Sequence, residues 1–375
     1  DYQTKWQSLT IDCESCHGPA QDHVKHHQSK RSVVDPIPSL VGMTNKDSLD
    51  LCFRCHATKS VTAPGYLAGQ DFNEHYAHTH LIDGQLAALD AEGQVREFAY
   101  QEGHLSSPCY SKGAMVCTDC HTAHGLTYQD VLGHPISGWD DDRQCTGCHV
   151  GVSALSELHG TQHQSTRCVS CHMPYRQHPG VGTEVSYARS DHRISTPITW
   201  QDGQAIAGEA CLNCHDFKGT GARRNALVSV YGQVRGRDAR LDILKMLEAV
   251  PLSANYLIAD SSVGDAIKLF SRSLDWPITR QARVLTSLGR LLLIPGVRMV
   301  TSTELQQLTA ILMSTPFETK SAGAAVLLVL SDLQPIAGGY FERLLKSVPS
   351  QQNLGFRRTT AFNLVGLWMS YGFSQ

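Results

Sequence analysis

Six times in the first 215 residues, two cysteines stand three positions apart with a histidine directly after the second. The sets are Cys13/Cys16/His17, Cys52/Cys55/His56, Cys117/Cys120/His121, Cys145/Cys148/His149, Cys168/Cys171/His172 and Cys211/Cys214/His215. This spacing suits covalent attachment of haem c. Two thiols form thioethers with the porphyrin vinyl groups, one turn of backbone reaches both, and the adjacent imidazole becomes the proximal iron ligand. Structural zinc takes four ligands from two such pairs and has no use for a histidine after each, and a disulfide framework does not call for one either. The motifs therefore imply six haem c groups, which consume twelve of the 13 cysteines. Cys109 is left over, and an inert thiol is expected there rather than an intermolecular bridge.

Six of the 19 histidines are proximal in this reading, and a second histidine on every iron would take six more. His23 lies six residues after the first motif, at the head of a short polar helix, and His124 follows the third motif by three. His159 precedes the fifth motif by nine residues, and His192 sits in Asp191-His192-Arg193. His104 and His80 complete the expected distal set, with His75 and His78 competing for the place of His80. A distal ligand so near a motif rarely serves that motif's own haem, because the proximal histidine already holds the segment on one face. These histidines are therefore expected to bridge neighbouring haems. Met43, Met115 and Met173 could supply axial thioethers, but methionine is more often core filler.

The elements that must position these residues differ along the chain. The first cysteines of the motifs fall at 13, 52, 117, 145, 168 and 211, too irregular for a tandem array. Roughly 36 residues per haem is too little protein for an ordinary core, so the porphyrins are expected to be the core, wrapped by loops and short helices. Turn-rich stretches such as Asp35-Pro36-Ile37-Pro38 and His178-Pro179-Gly180 agree. Past His215, Pro251, Pro277, Pro295, Pro316, Pro335 and Pro349 punctuate helix-length segments. Ile278, Ala282, Leu285, Leu288 and Leu292 form one apolar stripe, with Arg280, Arg283, Ser287 and Arg290 opposite. Thr301 and Glu304 read as a capping box opening a helix that buries Leu305, Leu308 and Leu312. The fold class expected is mainly α: a loop-rich multihaem cytochrome c domain over 1–220, then an all-α HEAT- or TPR-like helical-repeat or bundle domain over 221–375, acting as scaffold or docking element.

Composition excludes other classes. At 18% charged and 41% hydrophobic the 375-residue chain is neither a disordered tail nor a coiled coil. The formal charge of −3 hides an acidic part, with 14 Lys+Arg against 24 Asp+Glu in residues 1–215, and a basic one, with 18 against 11 beyond. The basic pairs Arg223-Arg224 and Arg357-Arg358 read as solvated faces or partners for the acidic part, and no nucleic-acid partner is expected. The longest apolar run, Ala322–Leu330, is far short of the roughly 18 to 20 residues of a membrane span. No dinucleotide or phosphate loop, HExxH or distinctive Ser-His-Asp set is present. The numbering opens at Asp1 without an initiator Met or apolar leader, as expected of a processed form or a fragment.

Several segments occur in an order that resembles one family. Trp6 to Pro19 (WQSLTIDCESCHGP), Asp83-Gly84-Gln85, Gly113 to His121 with His124, Cys168 to Pro174 (CVSCHMP) and Asp191 to Pro197 (DHRISTP) are similar to multihaem c-type cytochromes with C-terminal helical repeats. These belong with the broader group of hydroxylamine oxidoreductase and pentahaem nitrite reductase. The resemblance covers about residues 6–232. It implies an exported, haem-packed domain with mostly bis-histidine irons, and it supports His23, His124, His159 and His192 as distal ligands. Relatives usually carry further motifs upstream of the segment matching Trp6, and these are missing here; a haem at the start could then take its ligand from another subunit. Beyond Gly232 no TPR signature is recognisable.

The expected function is electron transfer through six closely packed, mostly bis-histidine haems, with redox proteins as partners and extracellular electron transfer as a setting. One alternative is a multihaem oxidoreductase acting on a small nitrogen or sulfur species at an open-site haem. Related nitrite reductases usually mark that haem with Lys in place of the motif histidine, and all six motifs here end in His. Another is a homo-oligomer or polymeric cytochrome filament. Haem c is attached after export, so a periplasmic, cell-surface or extracellular location is expected.

Overall fold

The computed structural model describes residues 10–29, 35, 37, 40, 42–78, 100–125, 127–150, 163, 165–176, 189–201, 204–207, 209–212, 214, 238–251, 254, 256–297 and 300–372. Within them the protein is mainly helical, and strand is limited to three two-stranded antiparallel ribbons. The division expected at residue 220 lies outside the described residues.

The N-terminal part is built of short elements whose ends are written locally. Helix α1 spans Cys13–His17: the Asp12 carboxylate accepts the Ser15 N–H at 3.1 Å to start it, and Gly18, at φ 76°, ends it. After α2 (Gln21–Ser29) comes α3 (Asn45–His56), capped by Thr44, whose hydroxyl accepts the Asp47 N–H. Strand β1 (Lys59–Val61) pairs with β2 (Tyr76–His78), and a 3-10 turn at Phe72–Glu74 precedes β2. Helices α4 (Tyr100–Ser106) and α5 (Pro108–Gly113) lead to a second 3-10 turn at Cys117–Asp119. Then follow α6 (Arg143–Thr146), α7 (Cys168–His172), the ribbons β3–β4 (Tyr175–Arg176, Arg189–Ser190) and β5–β6 (Ile198–Gln201, Gln204–Ala207), and α8 (Glu209–Leu212).

This part holds more protein core than the residue count per motif led us to expect. Leu49 and Phe53, four apart on one face of α3, pack with Tyr66, Phe72 and Leu105, and Ile278 from the C-terminal part joins them. Only small parts of the chain contribute, and Cys117 lies at the edge of the cluster.

Seven helices make the C-terminal part: α9 (Arg240–Ala249), α10 (Tyr256–Ser271), α11 (Ile278–Leu292), α12 (Ser302–Met313), α13 (Phe317–Leu333), α14 (Ile336–Lys346) and α15 (Asn353–Gly372). Pro277, Pro316 and Pro335 each stand at the N-cap of α11, α13 and α14, where the missing N–H is harmless. The capping box is present: Thr301 Oγ1 accepts the Glu304 N–H at 3.2 Å, and Glu304 accepts the Thr301 N–H at 2.9 Å. Leu305, Leu308 and Leu312 are fully buried behind it. Helix α13 is central, packed against α11, α14 and α15. A Cβ on Gly323 would lie 2.2 Å from Leu312 Cδ2, so glycine there lets α12 come close.

The amphipathic reading of α11 needs correction. Its stripe is buried, but so are Arg283 and Ser287 of the side expected to face water, and Arg280 and Arg290 are half-buried. The reason is that α10 packs on one side and α13 on another, and Arg283 is neutralised by a bidentate pair with Glu248 of α9.

Helix α15 joins the two parts, lying against the Phe72–Glu74 turn and β2. Gly355 brings its backbone so near that a Cβ would meet Asn73 at 2.9 Å, and Arg358 donates to the Glu74 carbonyl. Beneath, Lys46 Nζ binds Asp50 at 2.5 Å and Asp71 at 3.1 Å, with Glu318 of α13 buried beside them. Burial pushes the Asp50 carboxyl up to about 7, against the pull of Lys46, and raises Glu318 as well. Among the described residues no helix is long and apolar enough to cross a membrane.

Candidate functional site

Four of the motifs lie on helical turns described from first cysteine to histidine or nearly so. Cys13, Cys16 and His17 are on α1, Cys52, Cys55 and His56 end α3, Cys117 opens a 3-10 turn, and Cys168, Cys171 and His172 form α7. Cys145 lies on α6 and Cys211 on α8. A helical turn carries residues i, i+3 and i+4 on one side, so both thiols and the imidazole face one volume. All twelve motif cysteines are exposed or half-buried. That is the disposition required of thiols that carry a large group beside the backbone rather than fill a core.

Consecutive motifs meet along the whole series. Cys16 lies close enough to Cys52 and Cys55 for like charges to push its thiol up, after burial, and Arg54 of the second motif donates to the Ser15 carbonyl of the first at 2.6 Å. The thiols of Cys52 and Cys117 share a hydrogen bond, as do those of Cys145 and Cys168. Cys120 feels Cys148, and Cys171 feels Cys211 and Cys214. Asp142 helps to tie the fourth motif to the fifth: it is the N-cap of α6, and its carboxylate accepts the Cys168 N–H at 2.8 Å.

Two pairs of imidazoles have a distinct geometry. The rings of His17 and His124 are 6.1 Å apart with planes 13° from parallel, and those of His121 and His192 are 6.3 Å apart with planes 13° from parallel. Metal–nitrogen bonds of about 2.0 Å, with a ring centre about 1.1 Å behind each nitrogen, put two trans ligands of one ion about 6.2 Å apart. Both pairs match this separation, and both join a motif histidine to one outside the motifs.

His192 is the better supported of the two outer histidines. Its Nδ1–H donates to the Ser190 carbonyl at 2.9 Å, which leaves Nε2 with its lone pair. The loop that carries it is clamped by a buried Asp191–Arg193 pair, with Nη2 to Oδ2 at 2.7 Å. Burial pulls the His192 imidazole below its ordinary range, which keeps the ring neutral. His172 of the fifth motif is oriented in the same way, its Nδ1 3.0 Å from the Ser195 carbonyl.

Other expected ligands are placed differently. His104 is buried against Phe53 and Tyr110, with Nε2 2.8 Å from the Met115 carbonyl, and burial pulls it down to about 4. His23 binds Asp35 and lies beside His27. Among the described residues neither faces a motif imidazole. His78, the competitor of His80, is stacked on Phe72 in the core, where burial pulls it down to about 3. The ring beside His56 is that of Tyr100, at 5.5 Å.

His149 of the fourth motif is exposed, as His56 and His121 are. Helix α6 ends at Thr146, so His149 stands on the turn beyond it, exposed to solvent together with Cys148 and Val150. Only its backbone is anchored, the N–H donating to the Cys145 carbonyl at 2.9 Å, and among the described residues no second imidazole stacks opposite its ring. Helix α6 is one turn long: it brings Cys145 toward the fifth motif, with Gly147 close against Val131 and Cys148 near Cys120, and His149 follows on the turn beyond. His80, His159 and the motif residue His215 lie outside the described residues.

Cofactor chemistry can be tested on these positions. A zinc site would gather three or four motif ligand atoms, yet the one such group within 4.8 Å among the described residues is His23, His27 and Asp35, which contains no motif residue. Open helical turns with paired trans imidazoles fit haem c instead. Sequence reasoning missed Asp142, Arg54 and the Ser190 and Ser195 carbonyls, because they act through distant backbone and carry no motif of their own. No family model, curated protein or solved structure matches the chain.

Proposed function

We propose that the chain is a multihaem c-type cytochrome, related to the hydroxylamine oxidoreductase and pentahaem nitrite reductase group, that carries six haem c and conducts single electrons. Bound haem c supplies a one-electron ferric/ferrous couple. The observation that carries the reading is the succession of motif neighbours, first to second through fifth to sixth, which gives the attachment points the order of a continuous path. The near-parallel pairs His17/His124 and His121/His192 support axial saturation at two of the irons. The chain's own residues hold ligand tautomers through Ser190 and Ser195 and tie adjacent motifs through Arg54 and Asp142. The helical part serves as a scaffold, redox proteins are the partners, and export to the periplasm or beyond follows from haem attachment.

Pyridine haemochrome analysis against protein concentration should give six haems per chain, and a value near zero would overturn the proposal. A second reading has one observation in its favour: among the described residues the ring stacked edge-on to His56 is that of Tyr100, which suits an exchangeable iron position on the second motif. Electron paramagnetic resonance separates the two. Six low-spin ferric signals support the conduit, whereas a high-spin signal that shifts with nitrite, hydroxylamine or sulfite supports an oxidoreductase.

A further inference from the structure

Helix α2 carries a histidine cluster that the motif geometry does not use. His23 and His27 are one turn apart, at i and i+4, so both rings project from the same side. Asp35 lies between them: His23 Nδ1 is 2.6 Å from Oδ1 and His27 Nε2 is 2.9 Å from Oδ2. The Ile37 N–H donates to Oδ1 at 3.1 Å and fixes the carboxylate. One ligand atom from each of the three side chains lies within 4.8 Å of the others. His26 adds a further imidazole edge-on to His27, with ring centres 5.0 Å apart.

We propose that His23, His27 and Asp35 form a binding site for a divalent transition cation, with Zn2+ the best match, separate from the six haem-attachment motifs. Two imidazole nitrogens and one carboxylate oxygen are a borderline-to-hard set that suits Zn2+, and three protein ligands leave a fourth position for water. Exposure fits a site loaded from solution, since the side chains of His23 and Asp35 are about one-third exposed and that of His27 more so. The carboxylate is ready to bind, because hydrogen bonds from His23, Ile37 and His27 hold Asp35 far below the usual carboxylate range. A carboxylate only accepts, so in the metal-free cluster both imidazoles donate an N–H to it. Binding moves each of these protons to the other ring nitrogen through solvent, after which His23 Nδ1 and His27 Nε2 present lone pairs. Among the described residues no motif imidazole stacks on His23: the ring beside it is His27, whereas His124 and His192 stand 6.1 and 6.3 Å from motif histidines.

The test is isothermal titration of the purified whole protein with Zn2+, in a Cys109→Ser background so that the unattached thiol adds no heat. One saturable site is expected, weakened at least about tenfold in His27→Ala and in Asp35→Asn. His23→Ala should remove zinc binding while leaving the visible spectrum and spin state of the haems unchanged. Absence of a saturable site, or equal affinity in all three variants, would overturn the proposal. So would conversion of an iron to high spin by His23→Ala, which would make that side chain an axial ligand oriented by Asp35. All three positions are on the surface, and alanine favours the α2 helix, so loss of fold does not obscure the outcome.

Discussion

On the haem assignment proposed above, replacing His192 by alanine tests a single iron. The rings of His121 and His192 are 6.3 Å apart and 13° from parallel, close to the roughly 6.2 Å expected of two trans imidazoles on one ion. Removing one of them should convert one ferric iron in six from low to high spin, about one-sixth of the quantified ferric centres. The near-parallel planes carry a second expectation: in the unaltered protein this iron and the one between His17 and His124 should give rhombic low-spin signals, not the highly anisotropic signals of perpendicular ligand planes. The substitution leaves the Ser190 carbonyl without its donor, at about 1–3 kcal/mol, which a domain of ordinary stability survives. Spin quantitation by electron paramagnetic resonance on matched samples is the assay. His134→Ala, at an exposed ring bound to Asp130, is the control and should change nothing. Because the two pairs belong to different irons, His124→Ala with His192→Ala should give two high-spin irons. An unchanged low-spin spectrum in His192→Ala would refute both the ligand assignment and the geometric argument behind it.

Other expectations concern the frame. Lys46→Met leaves Asp50, Asp71 and Glu318 buried without their cation and should destabilise by about 3–5 kcal/mol at pH 8. Asp50 titrates higher in the folded state, near 7, than when unfolded, so the folded form holds the extra proton and stability falls as pH rises through that window. The loss in Lys46→Met should therefore be smaller at pH 5, as denaturant melts at the two pH values would show. Gly323→Ala should cost about 1–3 kcal/mol by overpacking against Leu312 and cost less in a Leu312→Ala background, read from urea midpoints. Thr301→Ala removes one half of the capping box and should cost about 1 kcal/mol in thermal unfolding.

The chain by itself shows the six CxxCH sets and several of the helix starts in the C-terminal part. Six CxxCH sets are local, because one turn of backbone is enough to bring two thiols and an imidazole to one side. The Thr301–Glu304 cap and the prolines at the starts of α11, α13 and α14 are local for the same reason: the groups they satisfy lie within four residues. Tertiary structure decided everything that joins distant segments. Which outer histidine stands opposite which motif, 107 positions apart for His17 and His124 and 71 for His121 and His192, depends on how loops cross, and spacing carries no record of that. The same holds for the far side of α11, where a polar stripe that reads as solvent-facing is buried or half-buried because neighbouring helices and Glu248 supply its partners. His104 and His23 make the point most directly. Their residue type is legible in the sequence, but only the packed chain brings the Met115 carbonyl to His104 and the Asp35 carboxylate to His23.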